Sequence, residues 1–306
     1  MDTPHIPVLL NEVVEHFKDV DGYFIDATLG YGGHSEALLK ANPKIKILGI
    51  DQDDEAIAFS KERLAPYSDR VQIFKGDFAS RSKELLERYP IKGLLADIGV
   101  SSLQLDKKKR GFSLQSETLD MRMDKSRDLS AYDVVNYYTL EELERIFKEY
   151  AEHPRYKKIA QLIVKNRPIK SAKALADLIA AHLPKYGKIH PATTIFQAIR
   201  IEVNQELEQL EKLLQNLEEA RPSGVKVGII TFHSLEDRIV KNFFKKWATK
   251  CICPPHAMRC ECGGQNELGQ IITKKPITAS KKEIEQNPRS RSAKLRIFKF
   301  KEQDEA

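Results

Sequence analysis

Cysteine is almost missing from this 306-residue chain: four occur, all between Cys251 and Cys262. That is too few, and too clustered, for a disulfide framework, and it fits a reducing, cytoplasmic compartment. Glycine and proline are sparse at 15 and 14 residues, which excludes collagen-like and low-complexity classes. No stretch approaches the ~20 apolar residues of a membrane span. The opening residues MDTPHIPVLLNEVVEHF carry acids and no apolar run of signal length, so neither membrane nor secretion is expected. Neither sign of charge dominates, since 50 Lys and Arg against 44 Asp and Glu leave +6, too mild for a histone-like polyanion binder. What is present, 41% hydrophobic and 31% charged residues, is a globular composition long enough for one large domain or two ordinary ones.

The first hundred residues alternate short apolar runs with stretches of helical spacing. Tyr23 to Ala27, Ile45 to Ile50, Val71 to Phe74 and Gly93 to Ala96 read as buried strands, each ending in or just before an acid. The intervening Ser35 to Ala41, Asp54 to Ala65 and Ser80 to Tyr89 read as crossover helices, so a parallel, doubly wound α/β sheet is expected. From about Leu105 to Glu219 no strand pattern occurs. Thr139 and Glu142 form a capping box, further helices follow over 156–166 and 171–182, and one long helix is expected from about Thr193 to Ala220. β character returns at Val225 to Thr231, Ile271 to Lys274 and Leu295 to Phe300. The expected organisation is a split α/β domain, residues 1–105 and 217–306, interrupted by an all-helical insertion, residues 106–216.

The turn after the first strand is Gly30-Tyr31-Gly32-Gly33-His34-Ser35, where glycine lets backbone approach a ligand. The second strand ends in Asp51, placed to accept hydrogen bonds from ribose hydroxyls. Ser35 stands where a dinucleotide fingerprint needs its third glycine, so NAD fits less well. With Asp77-Phe78 after strand three and Asp97-Ile98-Gly99 after strand four, the four turns suit a nucleoside with a compact amino-acid tail: S-adenosylmethionine. The competing reading is that Asp26, Asp51, Asp77 and Asp97 are caps or solvated strand ends.

Four thiols in Cys251-x-Cys253 and Cys260-x-Cys262 suffice for one tetrahedral zinc, although structural sites usually space their pairs more widely. A structural zinc and four reduced loop thiols both stay open. Lys107 to Arg110, Phe112, Arg122, Arg289, Arg291, Lys294 and Arg296 are candidates for RNA, the cations on phosphates and Phe112 stacked on an extruded base. Five such cations would give a single-strand salt slope of roughly −3.5; solvated charged faces are the competing reading.

HIPVLLNEVVEHF, DATLGYGGHSEALL, LADIGVSSLQLD, RGFSL, LDMRMD, HPATTIFQAIRIEVNQEL, TFHSLEDRIVKNFF and NPRSRSAKLRIFKF together resemble the bacterial 16S ribosomal RNA cytosine-N4-methyltransferase family of MraW/RsmH type, collinearly from Thr3 to about Lys301. The resemblance implies a class I, Rossmann-like methyltransferase sheet with an inserted helical domain, acting on the exocyclic N4 of a cytidine in the decoding region of 16S rRNA. The small ribosomal subunit is the implied context, and the chain is expected as a monomer or homodimer. The family's cofactor contacts fall on Gly32, Gly33, His34, Asp51, Phe78, Asp97 and Gln104. Thr194 and Ile195 depart from its usual Arg and Thr.

The cytosine amino nitrogen is a poor nucleophile because its lone pair is delocalised into the ring, so alignment and electrostatics must carry catalysis. Asp97 is expected to accept an N4 hydrogen. His233, of the residue type that titrates nearest neutrality, is the second catalytic candidate, against a structural role in its loop. A DNA or protein methyltransferase and a non-catalytic RNA-binding assembly factor are the rival functions.

Overall fold

The computed structural model describes residues 6–99, 107–184, 190–254 and 259–303. Two compact units divide the chain: Met1–Gly99 with Gln209–Ala306, and Val100–Glu208.

In the first unit, helix α1 (Leu10–Phe17) precedes β1 (Gly22–Asp26), α2 (Gly33–Ala41), β2 (Ile45–Asp51), α3 (Asp54–Leu64), β3 (Val71–Lys75), α4 (Phe78–Arg88) and β4 (Ile91–Asp97). Strands β1 to β4 pair in parallel, and neighbouring residues along each go to opposite faces. Phe24, Ile47 and Leu95 join a core with Val13 and Phe17 of α1 and Leu38 and Leu39 of α2. Their neighbours Ile25, Leu48 and Leu94 join the core beneath α4. Burial on both faces is why the strands read as near-continuous apolar runs.

Among its described residues the second unit contains helices and loops but no strand. It contains α5 (Ala131–Tyr137), α6 (Leu140–Glu149), α7 (Tyr156–Lys165), α8 (Ala172–His182) and α9 (Thr193–Asn204). Its core gathers Val134, Leu143, Ile146, Phe147, Ile159, Ile163, Leu175, Ile179, Ile195 and Ile199. Capping boxes start α5 (Ser130 with Asp133) and α6 (Thr139 with Glu142). Ile195 is fully buried, which accounts for an apolar residue there.

The long helix expected over 193–220 is two helices, α9 and α10 (Glu206–Ala220), broken at Gln205 with φ 53° and ψ 41°. Local bonds hold the break. Asn204 is buried, accepts from Met123 N at 2.9 Å and donates to Met121 O at 2.8 Å. Arg200 forks onto Glu206 with two 2.8 Å bonds, and Arg127 donates to the Gln205 side chain at 2.6 Å. The boundary expected at 216/217 and the parting of the compact units at 208/209 both fall inside α10.

After α10 come β5 (Lys226–Thr231), α11 (Ser234–Trp247), β6 (Gly269–Ile271), β7 (Ile277–Thr278), α12 (Lys281–Gln286) and β8 (Lys294–Phe300). The sheet order is β3-β2-β1-β4-β5-β8-β6, with β7 also on β8. β5 extends the parallel set beside β4, and β8 runs antiparallel to β5. This is the Rossmann-like α/β architecture. Strand order reverses between β1 and β4, so a ligand crevice belongs at their carboxyl ends. Among the described residues no helix is long and apolar enough to cross a membrane.

Asn204→Ala leaves the Met123 amide and the Met121 carbonyl without their buried partner, at a cost of about 1–3 kcal/mol to the helical unit. Amide hydrogen exchange checks this: protection should fall around Met121–Met123 and at the end of α9, and unchanged protection would show that the side chain does not hold the break.

Candidate functional site

Asp26 ends β1 almost completely buried, with Oδ2 accepting from Ser35 Oγ at 2.6 Å. Burial pushes its pKa up to about 6, the Ser35 bond opposes the rise, and nearby Asp51 adds to it. The chain then turns sharply. Leu29 N donates to Ile50 O and Gly32 N to Leu29 O, each at 2.8 Å, while Gly30 and Gly32 take φ of 52° and 70°. A Cβ on Gly30 would meet only Thr28 O, at 3.9 Å, so this part of the turn is open. A Cβ on Gly33 would lie 2.3 Å from the Pro7 ring, so packing against the N-terminal segment demands that glycine.

Asp51, at the end of β2, steadies the same turn: Oδ2 accepts from Gly30 N and Oδ1 from Asp53 N, both at 2.8 Å. Gln52 supplies a third backbone bond, so of the carboxylate's roughly four acceptor sites about one is left for another donor. Burial raises its pKa to about 6 against the opposing backbone bonds from Asp53 and Gly30. Phe78 is half-buried at the start of α4, and Asp77 caps that helix by accepting from Ser80 N at 2.8 Å. Asp77, read as a ligand contact from sequence, thus has a capping role.

Asp97 ends β4. Its backbone N donates to Thr28 Oγ1 at 2.6 Å, joining the β1 and β4 ends. Its side chain is 23% exposed, yet Oδ1 is enclosed with no hydrogen-bond partner among the described residues. Burial, then the charges of Asp26 and Glu236, pushes its pKa up to about 7. His34 faces it, Nδ1 being 4.0 Å from Asp97 Oδ2, and Nε2 donates to Val8 O at 2.9 Å. A carbonyl can only accept, so the neutral ring carries its hydrogen on Nε2 and turns the Nδ1 lone pair toward Asp97. Burial lowers the His34 pKa to about 4. At 4.0 Å His34 makes no hydrogen bond to Asp97 and its Nε2 is held by Val8, so it is placed as a neighbour of Asp97 and not as its relay.

His233 follows β5 as the N-cap of α11, its ring accepting from Glu236 N at 3.4 Å while Glu236 Oε2 accepts from Phe232 N at 2.7 Å. Nε2 of His233 lies 2.8 Å from Oε1 of the fully buried Glu236. Neither atom has a well-directed hydrogen bond among the described residues. Asp97 Oδ1 is thus the buried atom at this sheet edge left without a donor among the described residues, whereas His233 Nε2 and Glu236 Oε1 face each other.

The sequence candidates for RNA fare differently. Arg110 is 3% exposed and donates from Nη2 to Arg122 O and Met123 O, both at 3.1 Å. Phe112 is buried in the helical core, with the Arg110 guanidinium 6.0 Å from its ring centre. Neither is placed as an exposed phosphate or base contact, because each fills the interior around the Met121–Met123 loop. Arg122 is bound to Asp120 at 2.7 Å. Arg296 and Lys294 pair with Asp237 at 2.7 and 3.4 Å, whereas Arg291 is exposed and Arg289 half-buried. Gln104 lies outside the described residues. The four cysteines converge in one loop with their sulfurs within 4.8 Å of one another. Sequence reasoning missed Thr28 and Glu236. Glu236, three residues after His233 at a helix start, carried a capping-box signal that would have found it.

The MraW methylase family model matches residues 2–301. Proteins called ribosomal RNA small subunit methyltransferase H are similar over nearly the whole chain. That of Nitratiruptor sp. is 66% identical over 302 residues, covering 99% of this chain and 100% of its own. That of Nautilia profundicola is 60% identical over 301 residues, 98% of each. That of Aliarcobacter butzleri is 59% identical over 301 residues, 98% of this chain and 100% of its own.

The elevated carboxyl at Asp97 sets a pH signature. Its pKa rises from 3.8 to about 7 on folding, so the stability it allows is full below pH about 4 and is lost as pH climbs through about 7. Asp97→Asn removes that loss. Thermal midpoints of the ligand-free protein should be higher in the variant at pH 8 by a few degrees, about 1 kcal/mol being worth roughly 2–4 °C in a domain of this size, and equal at pH 4. Equal midpoints at both pH values would mean that Asp97 is not desolvated.

Proposed function

The chain belongs to the MraW methylase family, and from that premise we propose that it methylates the exocyclic N4 of a cytidine in 16S rRNA with S-adenosylmethionine as donor. The observation that carries the reading is Asp97, a partly exposed carboxylate with one enclosed, unpartnered oxygen beside the glycine turn. Its proposed setting is the small ribosomal subunit in the cytoplasm, and the helical unit is proposed for substrate recognition.

The residues fit the cofactor. Gly30 leaves open space at the β1 turn, Asp51 has an acceptor site left for a ribose hydroxyl, and Phe78 offers an aromatic face at the next turn. Gly32, Gly33, His34, Asp97 and Gln104 complete the proposed set. His34 contributes an acceptor at Nδ1, its Nε2 being held by Val8, and Gly33 supports the turn from behind. When bound, S-adenosylmethionine supplies a sulfonium methyl open to attack by nitrogen.

The partly exposed Asp97 carboxylate accepts one N4 hydrogen, which turns the amino lone pair out of conjugation with the ring. The nitrogen must shed a proton as it gains the methyl, and a carboxylate with a pKa near 7 suits that acceptance at neutral pH. His233, fixed by Glu236, is the second group assigned to the base. Arg291 and the exposed Lys107 and Lys109 are the proposed phosphate contacts, and with Arg110 engaged internally the salt slope should be shallower than −3.5.

The test is transfer of isotopically labelled methyl to small subunits, naked 16S rRNA, DNA and bulk protein, followed by nucleoside mass spectrometry. Labelled N4-methylcytidine from an rRNA-containing substrate is expected; label in another nucleoside, in DNA or in protein would overturn the substrate. Asp97→Ala should reduce the single-turnover rate by at least about a hundredfold while cofactor affinity falls far less, and equal losses would leave Asp97 a cofactor contact alone. His233→Asn keeps a good helix cap but removes Nε2. A slower turnover is expected, and an unchanged one would confine His233 to capping α11.

A further inference from the structure

Between α11 and the edge strand β6 the chain makes an excursion that has no core of its own. Among the described residues of 248–268 none is buried, and Ile252 is 65% exposed. The ends of the excursion are anchored. Trp247 packs among Phe244, Phe298 and Phe300, and Leu268 N donates to Trp247 O at 2.7 Å. Asn266 bonds back to Lys250 O through both its backbone and side-chain nitrogens, each at 3.1 Å. Beyond those bonds, what draws the two arms together is four cysteines.

Their arrangement is that of a coordination sphere. Cys251 and Cys260 sulfurs are 3.7 Å apart, Cys260 and Cys262 3.6 Å, and Cys262 and Cys251 3.7 Å; Cys253 brings the set within 4.8 Å. Four thiolates about 2.3 Å from a central zinc are separated by ~3.8 Å, the edge of that tetrahedron. A disulfide needs about 2.05 Å, which none of these separations approaches.

Backbone donors complete the pattern reciprocally. Ile252, between the first pair, donates to Cys262 of the second at 3.4 Å, and Glu261, between the second pair, donates to Cys253 of the first at 3.2 Å. Gly263 and Gly264 take φ of 77° and 68°, a left-handed turn that favours glycine, and this brings the Gly264 N–H back onto Cys262. Such donors stabilise sulfur that carries negative charge.

We propose that Cys251, Cys253, Cys260 and Cys262 bind one structural Zn(II). The four thiols lose their protons to solvent on binding, and the site carries a net charge of −2. With four protein ligands the sphere is closed, so the ion has no open position for chemistry. It takes the place of the missing core, fastening the loop to the end of α11 and the start of β6. An all-thiolate tetrahedron also accepts iron, which the test distinguishes.

The test uses the full chain purified under reducing conditions without chelator. Elemental mass spectrometry should give one zinc per chain, with all four thiols slow toward Ellman's reagent until a strong chelator is added. Cobalt(II) reconstitution should produce the thiolate charge-transfer and red d–d bands of a tetrahedral all-sulfur site. Cys253→Ser/Cys262→Ser should lose the metal and the amide protection of Gly269–Ile271 while far-ultraviolet circular dichroism is kept. Iron in place of zinc, metal-free protein that takes up neither zinc nor cobalt, or full zinc content in the double variant would each overturn the assignment.

Discussion

Every strand of the parallel set delivers its carboxyl end to one edge of the sheet, and three of those ends are aspartates that water reaches poorly. Asp26, Asp51 and Asp97 are all pushed up from the ordinary carboxylate range, to about 6, 6 and 7. Like charges in so small a volume repel, and the backbone around them is organised to contain this. Ser35 and Thr28 N serve Asp26, Gly30 N and Asp53 N serve Asp51, and Thr28 Oγ1 holds the Asp97 backbone. The glycine turn is part of that containment, since its Gly30 amide is spent on Asp51.

Asp97 is the exception, because Oδ1 has no internal donor among the described residues. A folded protein rarely leaves a buried carboxylate oxygen unpaired without a functional reason. The cost to stability above neutral pH is the counterpart of a group that a positively charged cofactor and an amino hydrogen can satisfy. A repacked edge with a neutral side chain at 97 would be the more stable ligand-free molecule and would lose the acceptor.

Much of this was legible in the sequence for a simple physical reason. Strands buried on both faces cannot hide their composition, so Ile45 to Ile50 and Gly93 to Ala96 announce themselves, and the acids that follow them are conspicuous against that apolar background. The break at Gln205 was not legible, because nothing in IEVNQELEQL departs from helical spacing. It is imposed by Asn204 reaching Met121 and Met123, some eighty residues back along the chain. The same loop explains Arg110 and Phe112. A basic-aromatic sequence looks like an RNA contact, but a guanidinium can also satisfy two backbone carbonyls in an interior, and only tertiary placement decides between the two.

The histidines show the limit of reading chemistry from residue type. His34 and His233 both border the aspartate cluster, and either invites the role of proton shuttle. Their surroundings separate them. His34 is desolvated, and burial, opposed only by its bond to Val8, lowers its pKa to about 4. Its contribution is a fixed lone pair and a link between α2 and Val8. His233 instead stands 2.8 Å from the buried carboxylate of Glu236, and the same glutamate presses on Asp97. Glu236 thus acts on Asp97 through charge, with no hydrogen bond between the two among the described residues. Helix capping and electrostatic coupling are carried here by the same two side chains, which is why loss of the His233 ring, with the cap retained, is the perturbation that separates them.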